Sequence, residues 1–171
     1  MVSFKEQRGQ FFRPKLKRLQ DLQTELYRQL QLLMPDQIAH YDSFQSRVSG
    51  SPLLRMDILE RHPYTHFLRL TYQFEKDEQR EIAPDAHIRV YNDAHLAEVT
   101  SYNPDQGFNR SATPWYPQHQ LFQRSWRQNQ ALDKWLGYLL HQGHSIESMQ
   151  PASDRISGNH PIPVKQTASS H

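Results

Sequence analysis

The sequence predicts an α+β domain: an antiparallel sheet of about four to five strands, with an N-terminal and a C-terminal helix packed on one of its faces. Three patterns carry that prediction. Residues 87–99 form two alternating runs about an Asn-Asp turn, the signature of a β-hairpin. Residues 66–74 alternate too, His66, Leu68, Leu70, Tyr72 and Phe74 against Phe67, Arg69, Thr71 and Gln73, which puts one side in a core and the other in water. Leucines at 16, 19, 22, 26, 30 and 33 step by three and four, drawing an apolar stripe along a helix.

The first helix is expected over 14–34, since Pro14 suits an early helical position and Pro35 ends the run. Leu19, Leu26 and Leu33 repeat every seven residues, but fewer than three heptads favour a helix packed on its own sheet over a coiled coil. Residues 38–48 give a weaker strand, closed by the turn Ser49-Gly50-Ser51-Pro52. Leu54, Met56 and Ile58 then alternate with Arg55 and Asp57. The links are too short for parallel crossovers, so the strands should form a meander.

In the hairpin, a two-residue loop at Asn92-Asp93 or Asp93-Ala94 makes paired residue numbers sum to an odd value. Ile88 and Val90 then share a face with Ala97 and Val99, and the opposite face carries Arg89, Tyr91, Leu96 and Glu98. A three-residue loop would put Glu98 among the apolar residues, at the cost of burying an unpaired charge. Residues 103–124 hold Pro104, Gly107, Pro114 and Pro117 without periodicity and read as a long loop, whose aromatic content argues for order. Ser125-Trp126-Arg127-Gln128 reads as a capping box opening a helix that runs to Gln142, with Gly143 as its stop and Leu132, Trp135, Leu136, Leu139 and Leu140 as its apolar face. The expected organisation is a basic arm over 1–13, one domain over 14–149 and a disordered tail over 150–171.

Composition narrows the chemistry. A 171-residue chain, 36% hydrophobic, suits one domain with a modest core. Cysteine is absent, which excludes disulfides, thiolate catalysis and cysteine-based metal centres. No apolar run resembles a signal core or a membrane span, so a cytoplasmic protein is expected. Residues 1–18 hold six cations against Glu6, a net +5, which leaves −3 for the rest of a chain whose total is +2. Such an arm can track phosphates or anionic lipid, and Phe11-Phe12 could add stacking. The plainer reading is a solvated lead-in whose two Phe side chains pack on the body, which makes nucleic acid the less favoured partner.

No phosphate-cradling loop or nucleophile elbow is present. His62 and His66 are four apart, but Pro63 bars a helix, and in a strand the rings would stand about 13 Å apart. No metal and no cofactor are therefore expected. The hairpin's polar face is the best site candidate. Arg89 is a two-pronged donor for a carboxylate or phosphate, Tyr91 a hydrogen-bond partner and Glu98 a brace for the guanidinium. Asp93 in the turn, Trp115 and Tyr116 as a roof and Asn129 on the last helix complete the candidate ligand-binding set. Each also has a plainer reading. Arg89 and Glu98 would be a cross-strand ion pair, Asp93 a turn residue and Asn129 an amide fixed to the loop backbone.

Arg89-Val90-Tyr91, Asp93-Ala94, Ala97-Glu98-Val99, Tyr116-Pro117, and Asn129 with Leu132 and Trp135-Leu136 ahead of Gly143 form an ordered series. Over roughly Leu19 to Gly143 it resembles the YqiB-like bacterial proteins, domain of unknown function 1249. The chain departs from that pattern at Ser125-Trp126-Arg127, where an Asp-Glu-Lys run is expected. The resemblance implies a bacterial cytosolic protein and supplies no established activity. The leading expectation is a non-catalytic binding module for a small molecule or a protein, its oligomeric state left open. One alternative is an enzyme on an anionic small molecule, with Arg89 binding and Glu98 as general base. A second is nucleic-acid binding through the basic arm.

Overall fold

The alternating runs become the strands of one antiparallel sheet. The computed structural model describes residues 4–76, 79–103 and 118–152. In chain order these form helix α1 (Phe4–Gln31), a short 3-10 turn (Asp36–Ala39), and strands β1 (Ser43–Ser46), β2 (Leu53–Arg61), β3 (Thr65–Lys76), β4 (Gln79–Tyr91) and β5 (Leu96–Tyr102). Helix α2 (Gln118–His141) and strand β6 (Met149–Pro151) follow. The sheet order is β5-β4-β3-β2-β1-β6, a meander closed at one edge by the last strand. The architecture is α+β as expected, with six strands instead of four to five.

One face of the sheet is apolar because every second residue is. Leu54, Met56 and Ile58 of β2, Leu68, Leu70 and Tyr72 of β3, Ala86, Ile88 and Val90 of β4, and Ala97 and Val99 of β5 are all buried. They share a core with Leu26, Leu30 and Leu33 from the α1 stripe and Leu132, Trp135, Leu136 and Leu139 from α2. Both helices therefore lie on this face, packed on each other and on β5. Each fully buried leucine contributes about 1.5–3 kcal/mol.

The hairpin register follows the odd-sum rule, with Ile88 opposite Val99, Arg89 opposite Glu98, Val90 opposite Ala97 and Tyr91 opposite Leu96. This matches the loop centred on Asp93-Ala94. The turn itself spans four residues, 92–95, not two. His95 supplies its left-handed residue, at φ 51°, a geometry that four-residue hairpin loops built on a type I turn accommodate. A ring contact of 5.3 Å between Tyr27 and His95 ties α1 to the turn.

Several boundaries differ from the sequence reading. The weak strand expected over 38–48 is a 3-10 turn followed by the four residues of β1, because Pro35 starts a new turn and Ile38 packs against the core from it. Strand β4 starts at Gln79, so β3 and β4 form a longer hairpin than residues 87–99 alone suggest. Helix α1 begins at Phe4, not Pro14, and Pro14 stands inside it. Proline supplies no N–H to the preceding turn, and the residues that follow it, 15–18, are exposed. Helix α2 begins at Gln118, so Ser125 lies within it and caps nothing. Residues 118–124 hold neither Pro nor Gly, and Phe122 stacks on Trp126 one turn later, centroids 6.5 Å apart and rings at 11°, an i,i+4 pair of the kind that extends helices. At the far end, Gln150 and Pro151 of the expected tail pair with Gln45 and Phe44, while residues 153–171 lie outside the described residues.

Candidate functional site

Facing away from the helices, the sheet presents the alternate set of side chains. Phe67, Arg89 and Glu98 follow one another in register across β3, β4 and β5. The phenyl ring of Phe67 lies under the guanidinium, whose carbon sits 4.4 Å from the ring centroid. Tyr91 donates its hydroxyl proton to Glu98 Oε1 at 2.8 Å. Arg89 Nη1 donates to the Tyr91 hydroxyl at 3.2 Å and to the same Glu98 oxygen at 3.4 Å. Arg89 Nε is buried without a partner. The hydrogen bond to Tyr91, with Glu98 nearby, holds Arg89 still more firmly protonated, and burial pushes the Tyr91 phenol up. The arrangement is a fixed cation on an aromatic base with one edge braced.

Two other arginines on this face are spent differently. Arg69 holds Asp85 with two bonds, Nε to Oδ1 at 2.9 Å and Nη2 to Oδ2 at 2.7 Å. Arg55 Nε reaches both oxygens of Asp57 at 2.9 and 3.0 Å, and Ser43 donates to Asp57 at 2.7 Å. The Arg69–Asp85 pair, two nitrogens on two oxygens, is of the strong bidentate kind, whereas Arg55 shares its single Nε–H between both oxygens of Asp57. Arg89 reaches its carboxylate only at 3.4 Å, through Nη1, and all three arginines are similarly exposed, at 41% for Arg55, 35% for Arg69 and 36% for Arg89.

The expected site residues do not all meet. Arg89, Tyr91 and Glu98 form the triad. Asp93 is exposed in the hairpin turn, and none of the triad's bonds reaches it. Trp115 and Tyr116 lie outside the described residues. Asn129 is fully buried among the helices. Its Oδ1 accepts the Val99 backbone N–H at 3.1 Å, and its Nδ2 donates to the Ser125 carbonyl at 2.8 Å and the Ser125 hydroxyl at 3.2 Å. The amide is fixed to backbone groups of edge strand β5 and of its own helix.

Two features escape a reading of the sequence. The first centres on His144, three residues beyond the end of α2 and buried at 1% exposure. Its Nε2 lies 3.0 Å from the Tyr72 hydroxyl and its Nδ1 2.7 Å from Ser46 Oγ. Ser46 Oγ is 2.6 Å from Ser148 Oγ, which donates to the Ser145 carbonyl at 3.0 Å. A carbonyl can only accept, so the chain has one direction: Ser148 gives its proton to Ser145, Ser46 to Ser148, His144 Nδ1–H to Ser46, and Tyr72 to His144 Nε2. Burial lowers the His144 pKa and pushes Tyr72 up to about 12. The one signal in the sequence is that Ser46 and Tyr72 fall at inward positions of their strands. The second feature is a half-open cavity of about 440 Å³ between Tyr102 at the end of β5 and Leu121, Arg124, Arg127 and Ala131 of α2. No triad residue lines it. Among the described residues no three His, Asp or Glu side chains gather as metal ligands, and no helix is long and apolar enough to cross a membrane.

Residues 29–145 match a family described as protein of unknown function (DUF1249). The chain belongs to this family. The triad, Asn129 and His144 all lie within the DUF1249 match, whereas most of α1 precedes it. No curated protein and no solved structure matches the chain.

Proposed function

We propose that this DUF1249 chain is a non-catalytic binding module whose outer sheet face, centred on Arg89, takes a carboxylate or phosphate group of a small molecule or a protein. The observation that carries the reading is the contrast between arginines. Arg55 and Arg69 close on their carboxylates at 2.7–3.0 Å, while Arg89 is positioned by Phe67, Tyr91 and Glu98 through Nη1 alone. A guanidinium held on an aromatic ring loses little rotamer freedom on binding, and its Nη2, which none of these bonds uses, is left as a donor beside Nη1. The enzyme alternative asks Glu98 to act as a free base, but Glu98 Oε1 already accepts bonds from Tyr91 and Arg89. The series of motifs shared with YqiB-like proteins supports a bacterial, cytosolic setting.

Titrating inorganic phosphate and succinate into the wild type and into Arg89→Lys and Tyr91→Phe tests the proposal. Lysine keeps the charge and loses the fork, so the variant should stay folded and bind at least about tenfold more weakly. Equal binding by a well-folded Arg89→Lys protein would remove this face from consideration.

A further inference from the structure

Helix α1 is about 42 Å long at 1.5 Å per residue, yet among its described side chains, from Arg13 on, the first fully buried one is Leu26. Residues 13–18 are exposed without exception, including Leu16 at 47%. This stretch reads Arg-Pro-Lys-Leu-Lys-Arg, and among the described residues none of its four cations has an acidic partner. The sequence places Lys5 and Arg8 on the same helical backbone.

By the rules of helix stability this turn is poorly built. Arg13 and Lys17 stand at i,i+4 and Lys15 and Arg18 at i,i+3, like-charge spacings that destabilise a helix by a few tenths of a kcal/mol each. Pro14 interrupts the backbone bonding between them. No core contact offsets these costs within 13–18. Where several local rules are broken together, the missing compensation tends to lie outside the molecule.

We infer that the exposed stretch 13–18 of α1 docks into double-stranded nucleic acid. At 100° per residue, Arg13 and Lys17 lie on one flank of the helix and Lys15 and Arg18 on the other, the two pairs about 150° apart around the axis. A flat anionic surface meets one flank at a time, whereas a groove walled by phosphates meets both. The major groove, about 12 Å wide, admits a helix of 10–12 Å diameter. The net −3 of the rest of the chain would be repelled by the same phosphates, which holds the body away and leaves the helix to make the contact. Binding is to the phosphate backbone and carries no base preference.

The test is fluorescence anisotropy of a labelled 20-base-pair DNA duplex with the full-length protein at 50 and 200 mM salt. Four phosphate contacts predict about a 10²-fold loss of affinity across that range. In the double variant Lys15→Gln/Lys17→Gln the loss should shrink to about tenfold, while Lys15→Arg/Lys17→Arg should keep the wild-type slope. These positions are exposed, so both proteins should fold. Absence of binding at 50 mM salt, or an unchanged slope in the glutamine variant, would overturn the inference. So would binding to phosphatidylserine vesicles with none to the duplex.

Discussion

At the scale of single residues, two buried polar side chains carry structural work that their neighbours cannot share. Asn129 takes the N–H of Val99 on the outermost strand of the sheet, a group that the edge would otherwise leave unpaired under α2. Asn129→Ala leaves that donor buried and unsatisfied, at about 1–3 kcal/mol. Thermal unfolding should show a fall of about 2–4 °C for each kcal/mol lost, with phosphate binding at Arg89 unchanged. His144 makes a different prediction. Its folded pKa is lowered by burial from 6.5, and that of His66 is lowered too, by burial first and then by Arg61 and His62. A depressed histidine resists the proton that the unfolded chain accepts, so this stability is fully present above pH 6.5 and is lost as pH falls below it. The melting temperature should therefore drop between pH 7.5 and 5.5, and by less in His144→Gln, whose overall stability is lower at both. Equal melting temperatures for the wild type at the two pH values would contradict the assignment. For Asn129 the sequence indicated an amide fixed to a backbone but not which one, and the His144 role was not legible, because a polar residue at an inward position shows only that it must be satisfied, not by what.

At the scale of elements, the strands were the most readable part of the chain. Alternation fixes which face of a strand is buried, and a one-residue slip would turn Glu98 into the core, so the shared face of Arg89 and Glu98 follows from the sequence, while their direct pairing comes from the loop centred on Asp93-Ala94. Helix ends were less readable. Pro14 and Ser125 are each good starting residues in isolation, but both lie inside longer helices, since nothing in the preceding residues stops the helix and, in α2, an aromatic pair extends it. Strand β6 was missed because three residues are too few to show a period. It matters nonetheless: Met149 is 2% exposed within the core, and the Ala152 N–H donates to the Ser43 carbonyl at 2.8 Å. A chain ended at Ala152 should keep this edge, while one ended at Ser148 loses a buried methionine worth about 2–5 kcal/mol. Differential scanning calorimetry of the two truncations should separate them by several degrees. Matching melting temperatures would show that β6 contributes nothing.

For the molecule as a whole, the division of labour between faces is the main result. Helices cover one side of the sheet, and among the described side chains the other side carries Arg55, Arg69 and Arg89, each set against a carboxylate. Two of the three are closed pairs and brace the strands. The third is anchored through Nη1, at a longer distance from its carboxylate, and is backed by Phe67; it is the one proposed to take an external anion. Sequence patterning pointed to this face because Arg89, Tyr91 and Glu98 had to lie together once the hydrophobic register was set. It could not rank Arg89 against Arg69 and Arg55, since that ranking depends on cross-strand distances. The most direct test is an NMR titration of the Arg89 guanidinium protons, assigned by their absence in Arg89→Lys, with inorganic phosphate. If Arg89 offers its second edge to an anion, its Nη signals should shift and saturate while those of Arg69 stay in place. Guanidinium signals that remain unmoved for Arg89, or that move equally for all three arginines, would contradict the assignment of this face as the binding site.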